Sequence, residues 1–471
     1  MFGFPEILLA QLVMFGFSFH WMLKRNDEIP LLINSCMLYI GAYPYWAVQQ
    51  GWRGWINLST YGLEPVTNET ALTALNCIIL GQICLNIAYC WRQNLTLPVA
   101  VPPKADALMQ QVTPAVMVAG ALCLPLVILT RGVVSSQRQG GMSLAFQVSG
   151  YLSSFPLVMV GIATLVLCLW RMGALRSMLF KILAIAILIG VANMSFNISG
   201  RFQFLGIIAT GGVIFSSTYK PRTRLWILIG AALIGASMFA IAGVMRTPVA
   251  DELVNEYAFY RFFGAEDANM IDGMATLRDA MPRLVGYRWG MAHIEVLLRP
   301  IPRSLWPGKP IGGGYLATVG LIDVESGTTL GFAPTMFGDF YSEAGIFGII
   351  ALSFVYGSVL AAIVRFNTRL KPFASVMVRA MLCASLVPLL RGGDLAGIYA
   401  GIGMSFWPCL LLLIVKRKEL LAIVPRRLFR SPMPIYPDVL PPGARPPGMP
   451  PPGALPPHLD PRSPQHPSHR H

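Results

Sequence analysis

The sequence predicts an all-α polytopic membrane protein of about eleven transmembrane helices with one large exported loop, and three observations predict it. Hydrophobic residues make up 55% of the 471 and charged residues only 12%, a balance that water-soluble domains do not carry. Apolar runs recur at the length of roughly 20 residues that crosses a hydrocarbon core of about 30 Å. Lys and Arg, 36 against 22 acids, collect in alternate connections between those runs, as cytoplasmic loops do.

The runs lie near 4–23, 29–50, 71–91, 112–130, 150–170, 178–196, 202–218, 225–245, 344–364, 373–390 and 395–415. The sixth and seventh are separated only by Asn197-Ile198-Ser199-Gly200-Arg201. The opening Met1-Phe2-Gly3-Phe4-Pro5-Glu6 places no basic residue before its apolar run, so that run reads as a span rather than a cleaved signal peptide. One set of loops holds Lys24, Arg25, Arg92, Lys104, Arg171, Arg176, Lys181, Lys220, Arg222, Arg224, Arg365, Arg369, Lys371 and a basic cluster after 415. The short loops of the other set hold only Arg53, Arg131, Arg138, Arg201 and Arg391. The C-terminus is therefore expected in the cytoplasm and the N-terminus outside.

On this topology residues 1–245 contain spans one to eight, 246–343 form the exported loop, 344–415 contain spans nine to eleven, and 416–471 are a cytoplasmic tail. The loop is long for a connection. Its Phe259, Tyr260, Phe262, Phe263, Tyr287, Trp289 and Trp306, with a helix-like stretch at 249–264, argue for a folded cap on the outer face. The tail, basic and then rich in Pro and Gly at a five-residue period, reads as a disordered, solvated extension. All eight cysteines fall inside apolar runs, which excludes a disulfide scaffold and argues against zinc or redox chemistry.

Outside, arginine dominates: the large loop adds Arg246, Arg261, Arg278, Arg283, Arg288, Arg299 and Arg303 against the single Lys309. A guanidinium fork matches phosphate or carboxylate oxygens and stays charged, so such a face suits an anionic ligand at the bilayer surface. Interface anchoring, or pairing with the loop's own acids, explains any one of them as well. Arg131, Arg201, Arg299, Arg303 and Arg391 lie where a helix is expected to meet the outer face. Prolines at 300, 302, 307 and 310 imply an extended segment presenting Arg299, Arg303 and Lys309. For proton transfer the outer inventory offers His293, Asp339, Glu343 and Asp394, of which histidine titrates nearest neutrality. Trp52, Trp55 and Tyr61 suit either stacking on sugar rings or an interfacial belt. No Asp-x-Asp pair and no Walker Gly-Lys-Ser/Thr sequence stands on either face.

The stretch Arg303-Ser-Leu-Trp306-Pro-Gly-Lys309-Pro resembles the exported-loop signature of the Wzy-like oligosaccharide repeat unit polymerases, which make O-antigen and exopolysaccharide. Thr329 to Gly345, with Asp339 and Tyr341, is similar to that family's entry into the following span, and Arg391-Gly392-Gly393-Asp394 to its turn between the last two spans. Glu343-Ala344 departs from the Asn-Phe pair of many relatives. The resemblance covers roughly 195–415.

It implies the O-antigen polymerase/ligase (GT-C-like) architecture in a bacterial inner membrane, and a glycosyltransferase that joins undecaprenyl-diphosphate-linked oligosaccharide donor and acceptor outside the bilayer. Chain-length regulators or flippases are implied as protein partners; nucleic acid, cofactor and metal are not. Fixed cations would stabilise the departing diphosphate more than the ground state. Arg299, Arg303, Arg391 and His293 are the expected catalytic residues, and Arg201, Lys309, Arg131, Asp339, Tyr341 and Asp394 the expected substrate contacts. The alternatives are an O-antigen-ligase-type transferase and a flippase or transporter of lipid-linked oligosaccharide. A flippase would place charge deep in several spans. Arg379, inside span ten, is the only such charge, and snorkelling toward the cytoplasmic end accounts for it.

Overall fold

A computed structural model of the chain describes residues 2–56, 63–97, 104–137, 155–197, 201–244, 268–299 and 333–421, with isolated positions at 263, 301, 305 and 306. Among these the chain is helical, and a single isolated bridge, Leu370 to Leu421, is the only extended pairing. The helices are α1 (Phe4–Arg25), α2 (Ile29–Met37), α3 (Tyr43–Gln49), α4 (Asn68–Arg92), α5 (Ala107–Gln137), α6 (Val158–Arg171), α7 (Met178–Asn197) and α8 (Arg201–Ser216). There follow α9 (Pro221–Val244), α10 (Met270–Ala280), α11 (Met291–Leu298), α12 (Thr335–Asn367), α13 (Pro372–Arg391), α14 (Leu395–Val415) and the short α15 (Arg417–Leu420).

Among the described residues six of them, α1, α4, the 107–128 part of α5, α12, α13 and α14, are long and apolar enough to cross a bilayer. Three shorter apolar helices, Val158–Arg171, Met178–Asn193 and Leu205–Ser216, accompany them. The range expected as one span at 29–50 is α2 and α3 joined through a π-helical turn at Leu38–Ala42. Gln11 of α1 occupies that turn, accepting a hydrogen bond from Ala42 N at 3.1 Å and donating to Met37 O at 3.2 Å. A side chain inserted into the backbone ladder is a known cause of such a bulge.

Helix ends follow local chemistry. Thr67 caps α4 in a reciprocal box with Thr70, and α1 stops at Asn26, left-handed at φ 55°, after Lys24 and Arg25 in its last turn. Hydrogen bonds gather the Lys- and Arg-rich connections at one end of the bundle. Leu97 N donates to Arg25 O at 2.9 Å and Lys371 N to Leu420 O at 2.8 Å. Arg365 reaches Arg92 O, and Arg171 reaches Thr218. This basic end contrasts with a loop end, where Tyr43 bonds Phe263 O and Arg53 pairs with Asp272.

The most extensively packed helices are α4 and α12. Gly357 lets them approach: a Cβ there would lie 2.5 Å from Leu85 O, the use of small residues expected between membrane helices.

Three differences from the sequence reading matter. First, the loop does not only cap the bundle. Helix α10 is buried, with Met270, Ile271, Asp272 and Met274 fully inside, packed on α4 and α12. The stretch 249–264 lies outside the described residues except Phe263. Second, α12 begins at Thr335 rather than near 344 and is broken at Ala344 and Gly345, whose backbones leave the helical region. Third, α5 runs on to Gln137, so Arg131 lies within a helix rather than in a turn after it.

Candidate functional site

At the loop end three segments far apart in sequence come together: α11, the first part of α12, and the turn from α13 to α14. Asp339 and Glu343 are four residues apart in the 335–343 stretch and share a helical face. The Glu343 carboxylate crosses to the start of α11, accepting hydrogen bonds from Gly290 N and, at 3.1 Å, Ala292 N. It thus caps a helix N-terminus, where unpaired amides and the helix dipole favour an anion. Backbone bonds from Arg288 N to Ser342 O and Trp289 N to Glu343 O, both 2.9 Å, fix the two segments together.

His293, one turn into α11, then lies with Nδ1 3.5 Å from Glu343 Oε1 and Nε2 3.1 Å from the Tyr356 hydroxyl. Tyr399 donates to Tyr356 at 3.0 Å. A carboxylate on Nδ1 favours the tautomer whose proton is there and leaves Nε2 as the acceptor. The row Glu343, His293, Tyr356, Tyr399 is thus a continuous chain of polar contacts on a histidine whose side chain is 32% exposed.

Asp339, 3% exposed, accepts a hydrogen bond from Gly393 N at 3.0 Å. That amide is aimed by the diglycine turn, with Gly392 at φ 71° and Gly393 at φ 118°. A Cβ on Gly392 would sit 2.2 Å from the Thr335 carbonyl, so only glycine fits the close approach of this turn to α12. Asp394 caps α14 through Gly397 N at 3.0 Å, and its Oδ2 lies 3.8 Å from Arg299 Nη2. Glu295, on the buried face of α11, pairs with Arg288; burial pushes its carboxyl above the ordinary range, Arg288 opposes this, and Asp394 and Glu343 add to it. Four carboxylates thus converge with a histidine and at least two guanidiniums. Among the described residues no three His, Cys, Asp or Glu are grouped to hold a metal ion.

Of the residues expected from sequence, the structure brings together His293, Arg299, Asp339 and Asp394, with Arg391 in the turn that bonds Asp339. Tyr341 stands beside them, its hydroxyl toward Met281 O at 3.5 Å and its ring against Tyr287. Arg303, Lys309 and Tyr61 lie outside the described residues, as do the side chains of Arg131 and Arg201. Arg299 is not on an extended segment: it ends α11 with helical backbone angles. Trp55 is hydrogen-bonded to Asn68 and packed on Tyr45, and Trp52 packs on Trp46.

The surplus of outer arginines is smaller than the sequence implies, because carboxylates take several of them. Arg53 pairs with Asp272, Arg283 with Asp279 and Arg288 with Glu295. Arg299 stands 3.8 Å from Asp394 with its side chain 42% exposed, and such exposed contacts contribute about 0–1 kcal/mol. Sequence reasoning missed Tyr356 and Tyr399, which sit mid-helix among apolar residues, and left Glu343 without a partner. The two-residue helix break after Glu343 was the detectable signal, since Ala344-Gly345 interrupts an apolar run.

A second polar cluster stands at the basic end. Glu28 is held by Arg379, with Nε at 3.0 Å from Oε1, and by Arg224, with Nη2 2.8 Å from Oε2. Both arginines also reach Asn26, while Asp27 accepts from Tyr89 at 2.6 Å and Trp21 at 3.3 Å. Arg379 therefore does not snorkel; it is 8% exposed and ion-paired within the bundle. Nor is it the only polar group inside. Gln11, Gln82, Asn34 and Asn86 are buried and hydrogen-bonded to one another.

The chain matches no family model, no curated protein and no solved structure.

Proposed function

We propose that this chain polymerises undecaprenyl-diphosphate-linked oligosaccharide repeat units at the outer face of a bacterial inner membrane, as a Wzy-like glycosyltransferase of eleven spans with its C-terminus in the cytoplasm. The observation that supports it most is the convergence of His293, Arg299, Asp339, Glu343 and Asp394 from three segments at the end of the bundle away from the basic loops. In this reading an acceptor hydroxyl displaces the Tyr356 hydroxyl from His293 Nε2 and gives its proton to that nitrogen as its oxygen attacks the donor's anomeric carbon. The bond from that carbon to the phosphate oxygen breaks, and its electron pair leaves on the diphosphate. Arg299 turns from Asp394, 3.8 Å away, to phosphate oxygens, joined by Arg391 from the neighbouring turn. Glu343 orients His293 and stabilises its charged form, the part a carboxylate plays beside a catalytic histidine.

The test is to delete the gene and size the surface glycan: single repeat units at the outer face support the reading, whereas undiminished polymer overturns it. Arg299 and Arg391 are then replaced in turn by Ala and Lys with protein level monitored. Loss of polymer with Ala, and at least partial loss with Lys, is expected; full polymer with Lys at both sites would defeat the bidentate argument. A flippase reading draws some support from the buried polar groups of α1, α2 and α4. They bond one another instead of lining a passage, and accumulation of cytoplasm-facing lipid-linked units on deletion would favour it. A ligase would leave polymer length intact and abolish its transfer to the final carrier.

A further inference from the structure

A pocket of about 170 Å³ opens between the connection before α4, the first turn of α4 and the helix α10, lined by Glu64, Val66, Thr70, Ala275, Arg278 and Asp279. The walls are held in place independently of any ligand. Glu64 N donates to Asp279 Oδ2 at 3.2 Å, and Arg283 grips the same carboxylate with Nη2 at 2.8 and 2.7 Å. Arg278 is different: it is partly buried, lines the pocket, and makes no hydrogen bond or ion pair with the described residues. A half-buried guanidinium facing a polar hollow is a set of donors awaiting acceptors.

The chemistry of the lining selects the ligand class. The lining carries two carboxylates, Glu64 and Asp279, against the one guanidinium of Arg278, and Arg283 from outside the lining neutralises Asp279, so the pocket offers no net attraction to a phosphate. It does offer carboxylate acceptors, guanidinium donors and the Thr70 hydroxyl around an apolar floor of Val66 and Ala275, the mixed set that a neutral polyhydroxylated ring satisfies. Its volume is well below the roughly 300–1,000 Å³ of drug-sized pockets, which fits one ring rather than a chain.

The pocket also connects with the site described above. The Tyr341 hydroxyl reaches Met281 O, just past the end of α10, at 3.5 Å; its ring meets Tyr287 edge-on at 5.9 Å, and Tyr287 meets Trp289 at 6.2 Å. Trp289 stands 76% exposed next to Gly290, the residue bonded to Glu343. Aromatic faces in series are a sequence-tolerant surface for stacking rings.

We infer that this pocket binds one neutral sugar residue of the acceptor glycan, with the exposed ring of Trp289, backed by Tyr287, guiding the chain toward His293. The inference deepens the polymerase reading and rests on it for the word acceptor; the sugar site itself does not.

The experiment uses the full-length protein in lipid nanodiscs. Saturation-transfer NMR is recorded with glucose, galactose, mannose and N-acetylglucosamine in turn, and phosphorus NMR with inorganic diphosphate. At least one sugar should receive saturation from the wild type, and its signal should fall about tenfold in Arg278→Gln and in Glu64→Gln, the loss expected for a charge-assisted hydrogen bond. The same signal should persist in Arg299→Ala. No sugar signal from the wild type overturns the inference, as does a signal untouched by either pocket variant, or diphosphate binding that depends on Arg278. Glu64 is exposed on a loop, so its variant carries the test if Arg278→Gln does not fold. Sugar binding lost in both variants, combined with unchanged polymer on gene deletion, would keep the site and sink the polymerase reading.

Discussion

At Glu28 two guanidiniums share one carboxylate away from water, and the consequences are measurable. Burial pushes its carboxyl upward, but the charges of Arg224 and Arg379 outweigh burial and hold it at about 2, against an ordinary 4.5. A depressed acid contributes stability that is complete above 4.5 and is lost as the pH falls toward 2. We expect the melting temperature of the purified protein to decline across that interval. Glu28→Gln would leave two buried cations uncompensated at a cost of about 3–5 kcal/mol, and would remove that part of the acid-dependent decline; a variant melting like the wild type at neutral pH sinks the account. At the other end, Glu343→Gln keeps an oxygen for one amide of α11 but withdraws the charge beside His293. In the proposed reaction it and His293→Ala should each slow polymer formation by about 10²–10⁴-fold. The double variant should be little slower than either single one, because the two side chains act as a unit. Multiplicative losses in a single-turnover assay would separate them.

At the scale of elements, the decisive feature is the contact of the α13–α14 turn with the start of α12. Gly392 has φ 71° and no room for a Cβ against Thr335, so Gly392→Ala must push the turn off α12 and withdraw the Gly393 amide from Asp339. We expect a fall in thermal stability of about 1–3 kcal/mol and loss of polymer at unchanged membrane insertion. Full activity with an unshifted melt would show that the turn has another way to pack. Helix α10 teaches a related point. Its periodicity did not announce burial, because Asp272 and Arg278 punctuate it. Asp272 is tolerated inside because Arg53 pairs with it and Ile56 N donates to it at 3.0 Å, although burial still raises its carboxyl above the ordinary range.

For the whole molecule, the two ends differ in charge and in chemistry. The hydrogen bonds that gather residues 24–28, 92–97, 216–224, 365–371 and 416–421 put the Lys- and Arg-rich connections together, and the proposed orientation sets that end in the cytoplasm. Single cysteines introduced at Lys104 and Arg369 in a cysteine-free background should react with a membrane-impermeant maleimide only after the cells are opened, and one at Trp289 in intact cells. The reverse pattern would invert the topology and place the carboxylate site inside.

The amino-acid sequence alone determined that the chain is helical and carries helices long and apolar enough to cross a bilayer, six of them among the described residues, since span length is set by the bilayer and read residue by residue. It also nominated His293, Arg299, Asp339 and Asp394, whose types are scarce in an apolar chain. Only the tertiary structure decided which of them meet. Ion pairs such as Arg53 with Asp272 and Arg379 with Glu28 join residues hundreds of positions apart. Whether a cation is spent on a neighbour or left for a ligand depends on distances that spacing along the chain does not contain. The same holds for Glu343 and Arg278, one consumed by a helix terminus and the other facing a hollow, because burial and partnership are properties of packing rather than of the residue.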